Sequence, residues 1–340
     1  MHTNPTPTQT WDASAAPLAS AAPSHHEGSN PLKRAVRIAL AVCGLICLVL
    51  PALSQGANRN FATVDPPVPF LFNFPLGINN HGDITGFYVS PDFSIHGYVY
   101  SNGVFQPVQV PGALMTGCAG INDEGVISGT YFDTMGFQHG YLSVNGHFTT
   151  IDVPGAAQTT GIDFENGPGL GTATALINNA NAFVGQYADL LGVSHAYLHS
   201  HGTFTTIDAP NALALPGAGT NAFSVNNGNE VAGVYYTLDP QPVHGFVFSG
   251  GVFTLVDVPS AGGTFGTQAN GINDLEDVVG VFSDSMDNGH GFLMHGGAYT
   301  QIDYPNMPYT ECHAINNNRV ITGSYEDAFG ITHGFISTPM

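Results

Sequence analysis

The chain has 340 residues and a formal net charge of −20, yet only 9% of its residues are charged. So acidic a chain would repel a phosphate backbone, which excludes nucleic acid as a partner. With 43 Gly and 23 Pro, the composition favours many short strands joined by tight turns, in one large β domain or two smaller ones.

A leader is predicted over residues 1–54. Three basic residues within 33–37 precede the apolar run 38–53, as the n-region precedes the h-region of a signal peptide, and small residues at 52 and 54 suit cleavage before Gln55. The apolar run is shorter than the roughly 20 residues that span a bilayer. We therefore expect a secreted or periplasmic bacterial protein with no membrane span after cleavage. An uncleaved signal anchor is the alternative.

Beyond residue 60 the sequence is an internal repeat of six units. Each unit contains an INN, IND or VNN turn, and the first residues of successive turns are 43 to 56 positions apart. A His in an HGY, HAY or HGF motif follows the first Asn of each turn by 17 or 18 residues. These repeated positions, for which we expect structural roles, are Asn79, Asn122, Asn178, Asn226, Asn273, Asn316, His96, His139, His195, His244, His290 and His333.

Each unit divides into four predicted strands. In the second unit these are 116–122, 126–132, 139–144 and 148–153, and the turn Asn145-Gly146 joins the last two. Four antiparallel strands repeated every 40 to 50 residues or so are typical of a propeller blade, whereas a β-solenoid would have coils of roughly 20 to 30 residues. The small side chains of the first strand suit the crowded position nearest the axis. We therefore predict an all-β protein in which residues 55–340 form a single six-bladed β-propeller domain.

The sixth unit ends one strand short, at residues 333–340. Near the other end of the chain, residues 61–67 (FATVDPP) are similar to the fourth strand of the other units, such as FTTIDVP in the second, but no first three strands precede them. We expect residues 61–65 to pair with Gly334–Ser337, so that the last blade is closed by the N-terminal strand. Such closure removes the exposed edges of an open array.

The H-G/A-Y/F motif combined with INN/IND-x-G turns resembles the bacterial HAF-type extracellular repeat family, over about residues 61–337. The resemblance implies secretion and repetition. It implies no catalytic residues, because the biochemical role of that family is not established.

Known enzyme motifs are largely missing from the sequence. It has no Gly-x-Ser-x-Gly elbow, no His-Glu-x-x-His pair and no phosphate-binding loop, and no Lys follows residue 55 to support Schiff-base chemistry. The segment 285–292 (SMDNGHGF) resembles the Asp box of sialidase propellers. However, Arg59 and Arg319 are the only arginines after residue 55, too few to hold the carboxylate of a sialidase substrate. These absences favour a protein that is not an enzyme.

An acid lies four to six residues before each repeated His. These acids are Asp92, Asp133, Asp189, Asp239, Asp284 and Asp327. A residue repeated once per blade normally serves its own blade, so we interpret the His and Asp side chains as hydrogen-bonding to each other or to the hairpin backbone. A metal site is the alternative, and it would require either ligands that converge from neighbouring blades or two ligands in one blade with an open position.

Cys118 and Cys312 occupy equivalent positions on first strands, four residues before the first Asn of their turns. One whole blade lies between them, and a disulfide requires Cα atoms within roughly 7 Å. We therefore predict two buried free thiols.

The predicted functional face carries the loops from second to third strands and the connections between blades. Long loops on a rigid ring often bind ligands, and the one long insertion, 156–171, falls on this face. It also carries the acids that end the fourth strands: Asp65, Asp152, Asp208, Asp257 and Asp303. These carboxylates should attract either cations, for which Ca²⁺ is the candidate, or a cationic partner, and we expect no other cofactor. The candidate binding residues are Asp163, Glu165 and Asp287.

Three functions stay open. Uniform repeats, with no unique polar cluster in any blade, favour a non-enzymatic binding or structural propeller, which we expect to be monomeric and to bind an extracellular ligand on its acidic loop face. The first alternative is an extracellular glycan hydrolase or lyase that uses paired carboxylates. The second alternative is a surface-anchored adhesion module, for which the leader would act as the anchor.

Overall fold

The computed structural model describes residues 54–55, 59–158 and 171–340. All regular secondary structure in these ranges is β-strand. No helix among them is long and apolar enough to cross a membrane. Two strands precede the first blade, β1 (Ser54–Gln55) and β2 (Arg59–Thr63).

Six blades of antiparallel strands follow in chain order. Blade 1 contains β3 (Phe72–Ile78), β4 (Ile84–Val89), β5 (Ile95–Ser101) and β6 (Val104–Val108). Blade 2 contains β7 (Met115–Ile121), β8 (Ile127–Phe132), β9 (Gln138–Val144) and β10 (His147–Ile151). Blade 3 contains β11 (Thr172–Ile177), β12 (Phe183–Ala188), β13 (Ser194–Ser200) and β14 (Thr203–Ile207).

The second half of the ring repeats this order. Blade 4 contains β15 (Thr220–Val225), β16 (Val231–Tyr236), β17 (Val243–Ser249) and β18 (Val252–Val256). Blade 5 contains β19 (Thr267–Ile272), β20 (Val278–Ser283), β21 (Gly289–His295) and β22 (Ala298–Ile302). Blade 6 contains β23 (Tyr309–Ile315), β24 (Ile321–Glu326) and β25 (Thr332–Pro339). The fold is therefore the all-β, six-bladed propeller that the repeat predicts.

The fourth strand of blade 6 is β2. It pairs antiparallel with β25, with Phe61 opposite Ser337 and Thr63 opposite Phe335. The rings of Phe61 and Phe335 lie 5.5 Å apart between centroids, and Arg59 Nε donates a 2.8 Å hydrogen bond to Ser337 Oγ. The outermost strand of the last blade thus comes from the opposite end of the chain.

The aromatic residue of each H-G/A-Y/F motif fills the core of its blade. These side chains are at most 2% exposed: Tyr98, Tyr141, Tyr197, Phe246, Phe292 and Phe335. Each ring packs closely against a Gly of the second strand. At Gly129, for example, an added Cβ would lie 2.2 Å from the carbonyl oxygen of Gly117 and 2.7 Å from the ring of Tyr141. The Gly and the aromatic residue are therefore one packing unit, repeated in every blade.

The two faces of the ring carry different loops. The turn face carries the INN-type turns between first and second strands and the tight hairpins between third and fourth strands. In the hairpin Asn145-Gly146 both residues have positive φ, 50° and 79°, as a type I′ turn requires. The link face carries the loops between second and third strands and the connections from blade to blade.

A closed ring of side-chain amides surrounds the axis at the turn face. The Nδ2 of each first Asn donates to the backbone carbonyl of the first Asn in the next blade, at 2.8 to 3.2 Å, around all six blades. The Oδ1 of the same Asn accepts two N–H groups of its own turn, in Asn79 those of His81 and Asp83. Each first Asn therefore both caps its own turn and joins two blades.

The second residues of the turns form a second closed ring. The N–H of each donates to the Oδ1 of its counterpart in the next blade, at 2.8 or 2.9 Å. In ring order these residues are Asn80, Asp123, Asn179, Asn227, Asp274 and Asn317. Each Asp stands between two Asn and accepts a side-chain amide from both on its Oδ2. Whether the last residue of the turn motif is Asn or Asp is therefore explained by the matching of hydrogen-bond donors and acceptors between neighbouring blades.

Candidate ligand cavity on the propeller axis

A cavity of about 320 Å³ lies on the propeller axis, among the six first strands. Its lining takes from every blade the residue three positions before the first Asn of the turn: Leu76, Ala119, Ala175, Phe223, Asn270 and His313. Phe74, Gln268 and Glu311, two positions earlier in their strands, also line it, as do Phe87 and Leu176. Because these residues precede the turns, the cavity lies on the link-face side of the amide rings. Its volume is in the range of small-molecule sites, about 300–1,000 Å³.

The walls of this cavity differ from blade to blade. Blades 2 and 3 contribute the small side chains of Ala119 and Ala175, which leave room beside the axis. Blades 1 and 4 contribute aromatic rings, among them Phe74 and Phe223. Blades 5 and 6 contribute the polar side chains Gln268, Asn270, Glu311 and His313. The cavity therefore has one apolar and one polar side, although the fold around it is a sixfold repeat.

Hydrogen bonds organise the polar wall. Asn270 Nδ2 donates to Glu311 Oε1 at 3.1 Å and to the carbonyl oxygen of Cys312 at 3.0 Å. The hydroxyl of Tyr309 donates to Glu311 Oε2 at 3.0 Å. Burial, together with the charge of Glu311, raises the pKa of Tyr309 well above its ordinary value, so this hydroxyl keeps its proton as a donor. Both carboxylate oxygens of Glu311 are thus held in place, while its side chain stays 19% exposed.

His313 is a second buried member of the polar wall beside Asn270, with a side chain only 8% exposed. Its Nε2 lies 3.0 Å from Ser324 Oγ, and its Nδ1 lies 3.7 Å from Glu311 Oε1. Burial lowers the pKa of His313 more than the nearby Glu311 carboxylate raises it. The imidazole is therefore neutral near pH 7 and does not cancel the negative charge of Glu311.

The expectation that no blade has a unique polar cluster was wrong. Gln268, Asn270, Glu311 and His313 meet on the axis, and the other four blades have no equivalent set among their cavity-lining residues. The expected small side chains near the axis occur in blades 2 and 3, whereas blades 1 and 4 place Phe there. Comparing the inward position across the six units would have revealed the difference, because Asn270 and His313 stand where the other units have Leu, Ala or Phe.

The repeated His residues lie away from the axis, at the link-face end of each third strand. In five blades Nδ1 lies within 3.1 Å of the Asp that ends the fourth strand, pairing His139 with Asp152, His195 with Asp208, His244 with Asp257, His290 with Asp303 and His333 with Asp65. In the same five blades Nε2 lies 3.3 to 3.8 Å from the acid of the preceding loop, Asp133, Asp189, Asp239, Asp284 or Asp327.

Blade 1 departs from this arrangement. His96 Nε2 lies 3.3 Å from Ser90 Oγ, and Asp92 accepts hydrogen bonds from Ser90 and Ser94. The fourth strand of this blade is followed by Gln109 where the other units have Asp. The His and Asp residues therefore bond within their own blades, and the described residues contain no group of three or more His, Cys, Asp or Glu arranged to hold a metal ion.

The three residues proposed for binding from the sequence have separate outcomes. Asp163 and Glu165, in the insertion, lie outside the described residues. Asp287 lies on the link face as expected, and its Oδ1 accepts hydrogen bonds from the N–H of Thr264 at 2.7 Å and from its Oγ1 at 3.0 Å. Through these two hydrogen bonds, Asp287 Oδ1 holds the neighbouring loop that contains Thr264 in place.

Cys118 and Cys312 are both buried and free of disulfides. Burial raises the pKa of Cys118 to about 12 and that of Cys312 further. Cys118 Sγ lies 3.2 Å from the hydroxyl of Tyr141, and a Cβ added to Gly97 would lie 2.9 Å from the same sulfur. The thiols therefore act as small core side chains between neighbouring blades.

Comparison with known proteins finds likeness in the fold only. No family model matches the sequence, and no curated protein matches it either. AofleA from Arthrobotrys oligospora superposes with a TM-score of 0.52 over 83% of this chain and 88% of its own, at 13% identity. The lectin of Aleuria aurantia in complex with Fucα1-6GlcNAc superposes with a TM-score of 0.49, over 79% of this chain and 93% of its own, at 12% identity. At such low identities the likeness to AofleA supports the fold alone and assigns no ligand.

Proposed function

We propose that this protein is a secreted or periplasmic binding propeller that holds a small ligand in its axial cavity without transforming it. The observation that carries the proposal is the unequal lining of that cavity. Features present in nearly every blade, such as the His and Asp pairs and the amide rings, serve the ring itself. The cavity instead breaks the repeat on the axis, where residues of all six blades lie around one space.

The side chains on the link face support the proposal that the ligand binds at this end of the ring. In addition to the fourth-strand acids, the loop between second and third strands presents a large apolar side chain to solvent in every blade. These side chains are 38 to 88% exposed: Phe93, Met135, Leu190, Leu191, Leu238, Met286 and Phe329. These side chains add apolar contact area to the face that carries the acids, and this supports the proposal that a ligand approaches from that face. The acidic loop face therefore stays the proposed ligand face.

The lining of the cavity favours binding over glycoside hydrolysis. A retaining or inverting glycosidase usually requires two carboxyl groups on opposite sides of the bond that it cleaves. Among the described residues that line the cavity, Glu311 is the one acid. The polar wall can accept and orient a ligand, but it does not supply the pair of acids that the alternative function would require.

Export is part of the same proposal. It is supported by the basic residues and the apolar run of residues 33–53. We also propose, on the repeat motifs, that the chain is related to the HAF-type extracellular repeats.

Filling the cavity tests the proposed function. Ala119→Leu and Ala175→Leu each add three carbons to the roomy side of the cavity, and Ala180→Leu makes the same change at an exposed position on the turn face. A broad library of amines, acids, sugars and neutral aromatics is screened by calorimetry against residues 55–340. The proposal predicts at least one ligand that binds the parent and Ala180→Leu equally, and binds both filled variants much more weakly.

Each filled variant is used only if its circular dichroism matches that of the parent. A ligand that binds Ala119→Leu and Ala175→Leu as tightly as the parent occupies another site. If every ligand found behaves in that way, the axial cavity is not the binding site and the proposed function is wrong.

A further inference from the structure

We infer that the ligand of the axial cavity is a small organic cation, an ammonium group attached to an apolar or aromatic body. This inference rests on the proposed function and adds the chemical class of the ligand. It depends on four features of the cavity: an uncompensated carboxylate, an excess of hydrogen-bond acceptors, aromatic rings on the walls that flank the polar wall, and the absence of Lys and Arg among the described residues that line it.

The Glu311 carboxylate has no cationic partner among the described residues that line the cavity. The described chain contains two Arg and no Lys, and both Arg side chains are engaged elsewhere. Arg319 Nε donates to the fully buried carboxylate of Asp277 at 2.7 Å. Arg59 bonds to Ser337 and to the carbonyl oxygen of Arg319. With His313 neutral, the charge of Glu311 is left for a ligand to balance.

The polar wall offers more acceptors than donors. Glu311 presents two carboxylate oxygens, each with one hydrogen bond from the protein and further lone pairs to share. Asn270 uses its Nδ2 for both of its hydrogen bonds, which leaves its Oδ1 as an acceptor. The amide of Gln268 adds one more oxygen and the two N–H groups of its Nε2, so the oxygens of the wall still outnumber its donor nitrogen. A primary ammonium carries three donors and no acceptor, so it matches this wall better than a carboxylate or a phosphate would.

The apolar side of the cavity suits the body of such a cation. Phe74 and Phe87, with centroids 5.2 Å apart, line blade 1, and Phe223 lines blade 4. Aromatic rings attract a cation through their negative faces, and they also pack against an apolar group. The methyls of Ala119 and Ala175 leave space for that group. An ammonium with a phenyl body is therefore a suitable probe.

The test compares three probes of similar shape and different charge: phenethylammonium, 2-phenylethanol and phenylacetate. Each is titrated by calorimetry into residues 55–340 at about 0.15 M salt, which screens attraction to the acidic surface beyond roughly 8 Å. We expect phenethylammonium to bind roughly tenfold or more tightly than 2-phenylethanol, because hydrogen bonds to a charged group contribute more than neutral ones. Phenylacetate should bind most weakly.

Two variants separate the cavity charge from the overall charge. Glu311→Gln keeps the shape of the side chain and removes its charge, so it should reduce the preference for phenethylammonium roughly tenfold. Glu124→Gln removes one charge from an exposed position on the turn face and should leave the preference unchanged. Both variants must retain the circular dichroism of the parent.

The outcomes distinguish this inference from the proposed function. Equal binding of phenethylammonium and 2-phenylethanol, or an unchanged preference in Glu311→Gln, contradicts the inference that the ligand is a cation. A ligand whose binding is lost in Ala119→Leu would still support the cavity as the binding site. If phenethylammonium fails to bind but a neutral ligand from the library is lost in Ala119→Leu, the inference is wrong and the proposed function stands. If no compound of any class depends on Ala119, both are wrong.

Discussion

The side-chain amide of Asn316 donates a 2.9 Å hydrogen bond to the backbone carbonyl of Asn79, although 237 positions separate the two residues in the sequence. This bond joins blade 6 to blade 1 and completes the inner amide ring. Both residues are about 95% buried. A buried amide that lost its acceptor here would stay unsatisfied, so the bond is a direct contributor to closure of the propeller.

Asn316→Asp should destabilise the domain by about 1 to 3 kcal/mol or more, because it removes the Nδ2 donor and points a carboxylate at the Asn79 carbonyl. The Oδ1 that caps the turn of Asn316 is retained in the variant. Asn102→Asp is the control, since Asn102 lies in an exposed hairpin where its Nδ2 bonds only to Ser101 Oγ. Urea unfolding followed by circular dichroism measures both. Equal midpoints for the two variants would show that the ring contributes little.

Asp123→Asn should also destabilise the domain, by about 1 to 3 kcal/mol. The Oδ2 of Asp123 accepts hydrogen bonds from the side-chain amides of Asn80 and Asn179 at 2.8 and 2.6 Å. In Asp123→Asn an NH2 group would replace this oxygen and would point at the NH2 groups of the two neighbours. Glu124→Gln, one residue further along the turn and exposed, removes the same charge without touching the ring. A loss of stability in Glu124→Gln as large as in Asp123→Asn would assign the effect to charge instead of donor matching.

Gly129→Ala should destabilise the domain by about 1 to 3 kcal/mol through overpacking, since its Cβ would meet the Gly117 carbonyl and the Tyr141 ring. Gly117→Ala is the matched control on the neighbouring strand, where the nearest heavy atom to a new Cβ is 3.6 Å away in Phe87. Thermal unfolding of the two variants should therefore differ clearly. A similar melting temperature for both would contradict the packing role given to the second-strand Gly.

The His244 and Asp257 pair should make stability depend on pH. The 2.7 Å hydrogen bond to Asp257 is the main reason that the pKa of His244 is raised, so the folded protein holds this proton more tightly than the unfolded chain, whose His titrates near 6.5. The stabilisation is complete below about pH 6.5 and is lost as the pH rises through the folded pKa. Asp257→Asn should consequently be less stable than the parent at about pH 6 and closer to it at about pH 8.

Urea unfolding at the two pH values gives this difference directly, and a titration of the His244 ring protons by NMR gives the pKa itself. Glu124→Gln, which has no His partner in its turn, should differ from the parent equally at both pH values. If the difference in stability between the parent and Asp257→Asn grew toward high pH, the pH dependence would have the opposite sign. That result would contradict the raised pKa of His244.

Much of the fold could be predicted because it depends on local pattern. The spacing of turn and His placed the first strand of the second unit at 116–122, against Met115–Ile121 in the structure, and Asn145-Gly146 marked its hairpin. The likeness of FATVDPP to the later fourth strands indicated a partner at the far end of the chain, where β2 pairs with β25. These signals are strong because each recurs several times in one sequence.

The cavity and the amide rings were harder to predict for a physical reason. Asn270 lies 41 residues before Glu311 in the sequence, and only the ring brings first strands of different blades around one axis. The alternation of Asn80, Asp123 and Asn179 is visible in the sequence, but its meaning depends on hydrogen bonds between blades. Repetition drew attention to the His residues, whereas the distinctive chemistry lies where the repeat fails.

The most direct test of binding on the axis is NMR of residues 55–340 labelled at alanine methyls, with phenethylammonium and 2-phenylethanol added in turn. The methyls of Ala119 and Ala175 line the cavity, whereas Ala180 lies exposed on the turn face. If the ligand binds on the axis, at least one probe should give intermolecular NOEs to the methyls of Ala119 and Ala175 and none to that of Ala180. NOEs confined to other alanines, with Ala119 and Ala175 unaffected at saturation, would contradict it.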